Sequence, residues 1–316
     1  MKILITGITG LLGSYLAKEF SSKGEIHGFR RPHSSAKLLD ENLPVIWHEG
    51  ELSDIESLES ALEGIDLVIH SAGLVSFDPR ETNALFKVNV TGTANLVNAM
   101  QNTGVKKLIH ISSVSAIGRS ADQFKLDEDF KWVDSPLNTD YAISKYWGEL
   151  EVWRGQQEGL QVLIINPSII LGKITDDRSS TAIYHYVLEE NRYYPTGDLN
   201  YVDVRDTSTV IRLLFEKELW GERFIVSAGS IPYREFFERM ANVFGKKAPR
   251  IKANPTLLRF AVIFAGIMRK LGLSKNPLNK KTAMISSQKI SYSNEKVCQA
   301  LDFRFRSLEE TFSWAK

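Results

Sequence analysis

Cysteine is nearly absent: Cys298 is the only one among 316 residues. A single thiol excludes an internal disulfide and a cysteine-rich metal site. It fits a reducing compartment, so the expected location is the cytoplasm. Charge of one sign is lacking too, with a formal net charge of +1. That balance argues against a nucleic-acid binder, which would carry a basic stripe. The six histidines show no metal-ligand spacing. His70 and His110 end apolar runs and read as buried, paired side chains. No apolar run is long enough to cross a bilayer. The nearest, residues 257–273, is interrupted or ended by Arg259, Arg269 and Lys270 and reads as an amphipathic helix. Two uses of it stay open, packing on a substrate lobe or contact with a membrane surface or a second copy. Repeats and low-complexity stretches are also missing.

What is present points to a large core. Hydrophobic residues make up 43% of the chain, enough for one large domain or two closely joined ones. Residues 3–5 form a short apolar run, followed by Gly7, Gly10 and Gly13 and a helical pattern through Leu16 and Phe20. Strand, glycine turn and helix are the arrangement that binds dinucleotides. Glycine lets backbone N–H groups approach a pyrophosphate, and the helix N-terminus adds its positive dipole end. A merely structural loop is the rival reading, because the spacing is G-x-x-G-x-x-G. A signal peptide fits poorly, since glycines break the run and no clear cleavage site follows.

A second strand over residues 25–29 should end beside the adenosine ribose. NAD-binding chains place an acid there, whereas this one has Arg30 and Arg31. A guanidinium can grip a 2′-phosphate, so NADP(H) is the preferred cofactor and NAD(H) the second choice. An ordinary basic loop is the alternative.

Further strands are expected at 45–48, 66–70, 107–111 and 162–165, alternating with helices at 55–62, 86–101 and 141–158. This rhythm predicts an α/β fold with a doubly wound parallel sheet, the Rossmann arrangement. After Pro167 the rhythm weakens. Residues 1–166, with 201–228 returning, form the expected nucleotide-binding domain. Residues 167–200 and 229–316 form a smaller, mainly helical substrate lobe. The clustered Tyr184, Tyr186, Tyr193 and Tyr194 read as packing.

Tyr141 and Lys145 stand four apart in YAISK, one turn apart on one helix face. A phenol, with an ordinary pKa of about 10, serves proton transfer near neutrality only if pulled down. A neighbouring ammonium has that effect. Alone, the pattern equally describes an exposed tyrosine beside a solvated lysine; its place downstream of the glycine turn separates the two.

Several segments together resemble the extended short-chain dehydrogenase/reductase family, within the NAD-dependent epimerase/dehydratase superfamily. They are TGITGLLG at 6, SAGLV at 71, NVTGTANL at 89, HISSVSAIG at 110, YAISK at 141 and NPSIILG at 166. YVDVRD at 201 and the closing SNEKVCQALDFRFRSLEE extend the likeness across essentially the whole chain. The branch is similar to the dihydroflavonol 4-reductase-like group, which also resembles cinnamoyl-CoA reductases and 3β-hydroxysteroid dehydrogenases.

The resemblance implies a catalytic Ser113, Tyr141 and Lys145. Ser113 would hydrogen-bond the substrate carbonyl, ahead of its neighbours Ser112 and Ser115. Tyr141 would be the general acid or base, and Lys145 would hold the nicotinamide ribose and lower the tyrosine pKa. Implied cofactor contacts are Gly7, Thr9, Gly10, Leu11, Leu12 and Gly13 at the phosphate turn and Arg30 at the ribose. Glu51 and Leu52 stand where relatives have Asp-Leu beside adenine, and Ser71, Ala72 and Gly73 lie along the cofactor. Pro167 and Ile169 border the nicotinamide, together with Tyr141 and Lys145. Asn89 either takes part in catalysis or serves the helix that carries it.

The implied activity is NADP(H)-dependent reduction of a ketone or aldehyde, or the reverse oxidation, on a small-molecule substrate. A homodimer is compatible, with no interface visible. A nucleotide-sugar epimerase or dehydratase is the alternative. Dehydratases commonly carry Thr-Asp-Glu where this chain has Ser113, Val114 and Ser115. A non-catalytic NAD(P)-binding regulator is the third reading, and such a protein needs no proton donor.

Overall fold

The computed structural model of the chain describes residues 1–120, 122–174, 182–254, 262 and 280–316. The amphipathic helix expected at 257–273 lies outside them apart from residue 262. Seven parallel strands form the central sheet: β1 (Lys2–Thr6), β2 (Glu25–Arg30), β3 (Val45–Glu49), β4 (Leu67–His70), β5 (Lys107–Ile111), β7 (Gln161–Pro167) and β11 (Glu222–Val226). Their spatial order is β3-β2-β1-β4-β5-β7-β11. The order reverses between β1 and β4, and in open α/β sheets ligands bind outside the carboxyl ends of the strands at such a point.

Alternate side chains of these strands enter opposite cores, as the two-residue period requires. Ile3, Ile5, Ile69, Ile109 and Ile165 pack with α1 (Leu11–Phe20) and α7 (Val204–Glu216). Leu4, Val68, Leu108, Val162 and Ile164 face α2 (Ile55–Leu62), α4 (Gly92–Thr103) and α5 (Asp140–Gln157). Because both faces are covered, the strands read as unbroken apolar runs. Burial of each such side chain contributes about 1.5–3 kcal/mol.

The helical run expected at 86–101 starts earlier, with α3 (Thr82–Phe86), and passes through one π turn, Lys87–Thr91, before α4. The lobe also contains more strand than its composition suggests. β8 (Ile169–Leu171), β10 (Asp198–Asp203) and β12 (Gly229–Pro232) form a small mixed sheet. Of the stretch 201–228, α7 and β11 therefore join the central layers, while β10 does not. β6 (Lys125–Leu126) pairs with β14 (Ser291–Tyr292), and β9 (Tyr193–Tyr194) with β13 (Ile251–Lys252). The lobe core gathers Tyr184 of α6 (Ala182–Leu188), Phe236 and Met240 of α8 (Tyr233–Phe244), and Phe312 near the chain end.

Candidate active site

The glycine turn is built by close approach. Gly7 has φ +69°, and a Cβ there would lie 2.5 Å from the Ala72 nitrogen. On Gly13, a Cβ would lie 2.2 Å from the Gly7 carbonyl oxygen. The turn is thus wedged between α1 and the segment Ser71–Ala72, which Thr6 holds by accepting from both backbone N–H groups. Gly10 caps α1 with no side-chain hydrogen bond, and the first turn carries no acid. Free N–H groups, small residues and no negative charge suit a pyrophosphate, so the residues fit the dinucleotide. The side chain of Leu12 is buried in the core and that of Leu11 packs toward Gly172, leaving only their backbones for this purpose. Thr9 is half-buried beside them.

At the carboxyl ends of β2 and β3, Arg30 and Glu49 face each other across the register, 2.9 Å apart. The guanidinium lies 4.3 Å above the Trp47 ring, and its Nε is buried without a hydrogen-bond partner. Leu52 packs on α4, its carbonyl accepting from Asn95. Glu51 is exposed and turned toward Ser53.

Helix α5 carries the proton-active groups. Thr139 caps it by accepting from the Ala142 N–H at 3.0 Å. Gly148 lets it press on the π turn, since a Cβ there would lie 2.3 Å from the Asn89 carbonyl oxygen. Tyr141, Lys145 and Glu149 follow at helical spacing. The Tyr141 phenol lies beside the Ser113 side chain, which favours its charged form, and Phe77 meets its ring edge-on at 5.7 Å. Ser113 Oγ also accepts from the Ser115 N–H. Lys145 is buried and its Nζ donates to the Ile111 carbonyl at 2.8 Å. Gly73 is exposed above it, with a Cβ position 3.8 Å from that nitrogen. Pro167 is buried at the end of β7, and Ile169, two residues on, is exposed.

One expectation is corrected here. Burial holds the Tyr141 phenol above its ordinary value, against the Ser113 hydrogen bond and the charge of Arg119. Arg119 is the cation that acts to lower it, while the Lys145 ammonium donates to the Ile111 carbonyl. Burial lowers Lys145 itself to about 8, although the Glu149 carboxylate opposes the shift. The folded chain therefore holds fewer protons than the unfolded one between about 8 and the ordinary lysine value of 10.5. Stability from this residue rises with pH across that window. Urea unfolding of a Lys145→Met variant is expected to lack the rise; an unchanged slope assigns it elsewhere.

His70 and His110 are both buried, but only the first is paired. Thr93 donates to the Asn89 carbonyl, so His70 Nε2–H donates to Thr93 and its Nδ1 accepts from Thr6. His70 is pushed down to about 3 by burial and then by the Lys145 charge. Both nitrogens of His110 lack partners among the described residues, and its ring lies 5.2 Å from that of His70. Asn89 binds both backbone groups of Leu74 and donates to Ser144 Oγ. It ties the loop after β4 to α5, a helix other than the one that carries it.

Two residues lie outside the sequence expectations, Glu149 and Arg119. Glu149 accepts from Asn166 at 2.8 Å and pairs with Arg223 at 3.3 Å. Arg119 acts on Tyr141 from the loop that carries Ser113. The i+8 spacing of Glu149 from Tyr141 was the available signal, as was an arginine six residues beyond Ser113.

Fold and site define a dinucleotide-binding protein of the Rossmann type with a serine, tyrosine and lysine at its carboxyl edge. Residues 3–226 match the NAD dependent epimerase/dehydratase family, and the chain belongs to that family, among the extended short-chain dehydrogenases/reductases. It is 31% identical over 287 residues to sterol demethylase protein B of Methylococcus capsulatus, covering 89% of this chain and 83% of that protein. A putative dihydroflavonol 4-reductase of Synechocystis sp. is 27% identical over 318 residues, with 98% and 92% covered. The crystal structure of gox2253 superposes with a TM-score of 0.85 at 27% identity, over 99% of this chain and 96% of that one. Among the described residues no helix is long and apolar enough to cross a membrane.

Proposed function

We propose that this protein is an NADP(H)-dependent carbonyl reductase that can also run as an alcohol dehydrogenase. The observation that carries the reading is the placement of Tyr141 beside the Ser113 side chain at the carboxyl edge of the sheet, one helical turn from buried Lys145. When bound, the nicotinamide supplies or accepts the hydride. Ser113 would polarise the carbonyl oxygen, and Tyr141 would donate its proton to the developing alkoxide. Lys145, reachable under Gly73, would hold the ribose hydroxyls. Exposed Val75, Phe77 and Ile169 offer apolar walls for an organic substrate.

A reductase-like relative supports this direction, as does the absence of an acid at Val114 and Ser115, which sugar-nucleotide dehydration would use. The test is NADPH consumption with a panel of aldehydes and ketones, with elimination and epimerisation of sugar nucleotides assayed alongside. Turnover only on sugar nucleotides would replace the reading.

Arg30 supports the choice of NADP(H). Its guanidinium is already oriented by Trp47 and Glu49, and a 2′-phosphate would take over from the carboxylate. Loss of a hydrogen bond to a charged group costs about 1.5–3 kcal/mol. Arg30→Ala should therefore weaken NADPH by about tenfold or more while leaving NADH within about twofold. Equal weakening in fluorescence titrations would remove Arg30 from phosphate recognition.

A further inference from the structure

We propose that Arg119 makes the cleft selective for carbonyl substrates that carry an anionic group, a carboxylate being the simplest. The inference rests on the reductase reading and names the substrate class within it. Arg119 follows Gly118, whose φ of +96° turns the chain sharply after the Ser113 loop. A Cβ on Gly118 would meet Trp132 at 3.1 Å, and its carbonyl accepts from the Tyr292 hydroxyl.

The side chain is half-buried, with Nη1 buried and unpartnered, and it forms no ion pair among the described residues. Every other half-buried arginine among those residues has a carboxylate partner. Arg30 holds Glu49, Arg154 holds Glu151, Arg205 holds Asp203, Arg212 holds Glu19, Arg223 holds Glu149 and Arg306 holds Asp206. Buried guanidinium nitrogens are costly to leave unsatisfied, and with no partner among the described residues a bound anion would satisfy this one.

Its surroundings say where that partner would sit. The Arg119 charge acts on the phenols of Tyr141, Tyr233 and Tyr292, which come from α5, the start of α8 and β14. Arg119 therefore lies close to these three phenols, on the loop that follows Ser113, and a substrate held by Ser113 and Tyr141 would extend near it. Burial raises all three phenols, so they stay neutral at physiological pH and do not cancel the cation. Arginine grips carboxylates with two parallel hydrogen bonds, which gives direction as well as affinity.

The test uses wild-type protein saturated with NADP+, a complex that cannot reduce a ketone. Acetoacetate, levulinate and their methyl esters are titrated into it by calorimetry at fixed ionic strength. At least one acid is expected to bind about tenfold or more tightly than its ester. Arg119→Gln should erase that difference while leaving ester and NADP+ affinities within about twofold, and Arg119→Lys should keep part of it. Equal binding of acids and esters to the wild type would overturn the proposal. So would an Arg119→Gln variant that weakens esters or NADP+ as much as acids. Acid binding lost in Arg119→Gln, but with no NADPH turnover that Tyr141→Phe abolishes, would leave the anion site standing and remove the reductase reading.

Discussion

Replacing Tyr141 by phenylalanine should lower carbonyl reduction by about 10²–10⁴-fold, the usual contribution of a positioned general acid. The variant keeps the ring, its edge-on contact with Phe77 at 5.7 Å, and the helix that carries it. Only the hydroxyl beside Ser113 is lost. NADPH affinity should stay nearly normal, because the phosphate turn, Arg30 and Lys145 are untouched. The pH dependence has a definite sign. Burial keeps the phenol protonated above its ordinary value, so reduction should be flat through neutrality and fall only on the alkaline side. Oxidation needs the phenolate and should rise over the same range. Steady-state rates in both directions check this, and equal rates for variant and wild type would remove Tyr141 from the chemistry.

The second large effect is expected at Gly13. A Cβ there would lie 2.2 Å from the Gly7 oxygen and 2.8 Å from Ile8 Cα, and both are backbone atoms that cannot swing aside. Gly13→Val must push α1 away from β1, disturbing Leu12, Leu16 and Phe20 in the core. The cost should be about 1–3 kcal/mol of stability, the range for overpacked sites. Nucleotide affinity should fall by about 100-fold or more, because α1 sets the N–H groups that would meet the pyrophosphate. Gly10 is the control: its Cβ would meet only the Gly7 oxygen, at 3.2 Å. Gly10→Ala should therefore be milder in urea unfolding and in NADPH titration. Wild-type affinity in Gly13→Val would contradict the cradle assignment.

The parts legible in the sequence are those governed by local pattern. Strands such as residues 67–70 and 107–111 are buried on both faces, so their apolar runs declare them. Gly7 and Gly13 announce a turn because only glycine tolerates that packing, and Gly10 completes the spacing. Tyr141 and Lys145 share a face through helix periodicity alone.

The lobe was less legible because its strands are two to six residues long and pair across distant segments. Lys125–Leu126 finds Ser291–Tyr292, which no local pattern foretells. The π turn at Lys87–Thr91 was hidden by an ordinary helical composition. Arg119 and Glu149 gain their meaning only when separate elements close around them. Spacing along α5 points to Lys145 as the cation beside Tyr141, and only the fold brings Arg119 there as well while Lys145 donates to the carbonyl of Ile111.

A crystal structure of the protein with NADP+ tests the central claim most directly. The nicotinamide ring should lie at the carboxyl edge of β4 and β5 with its reactive face toward the Ser113 and Tyr141 hydroxyls, and with Lys145 on the ribose. A nucleotide bound with that ring turned out of the cleft, away from both hydroxyls, would contradict the account.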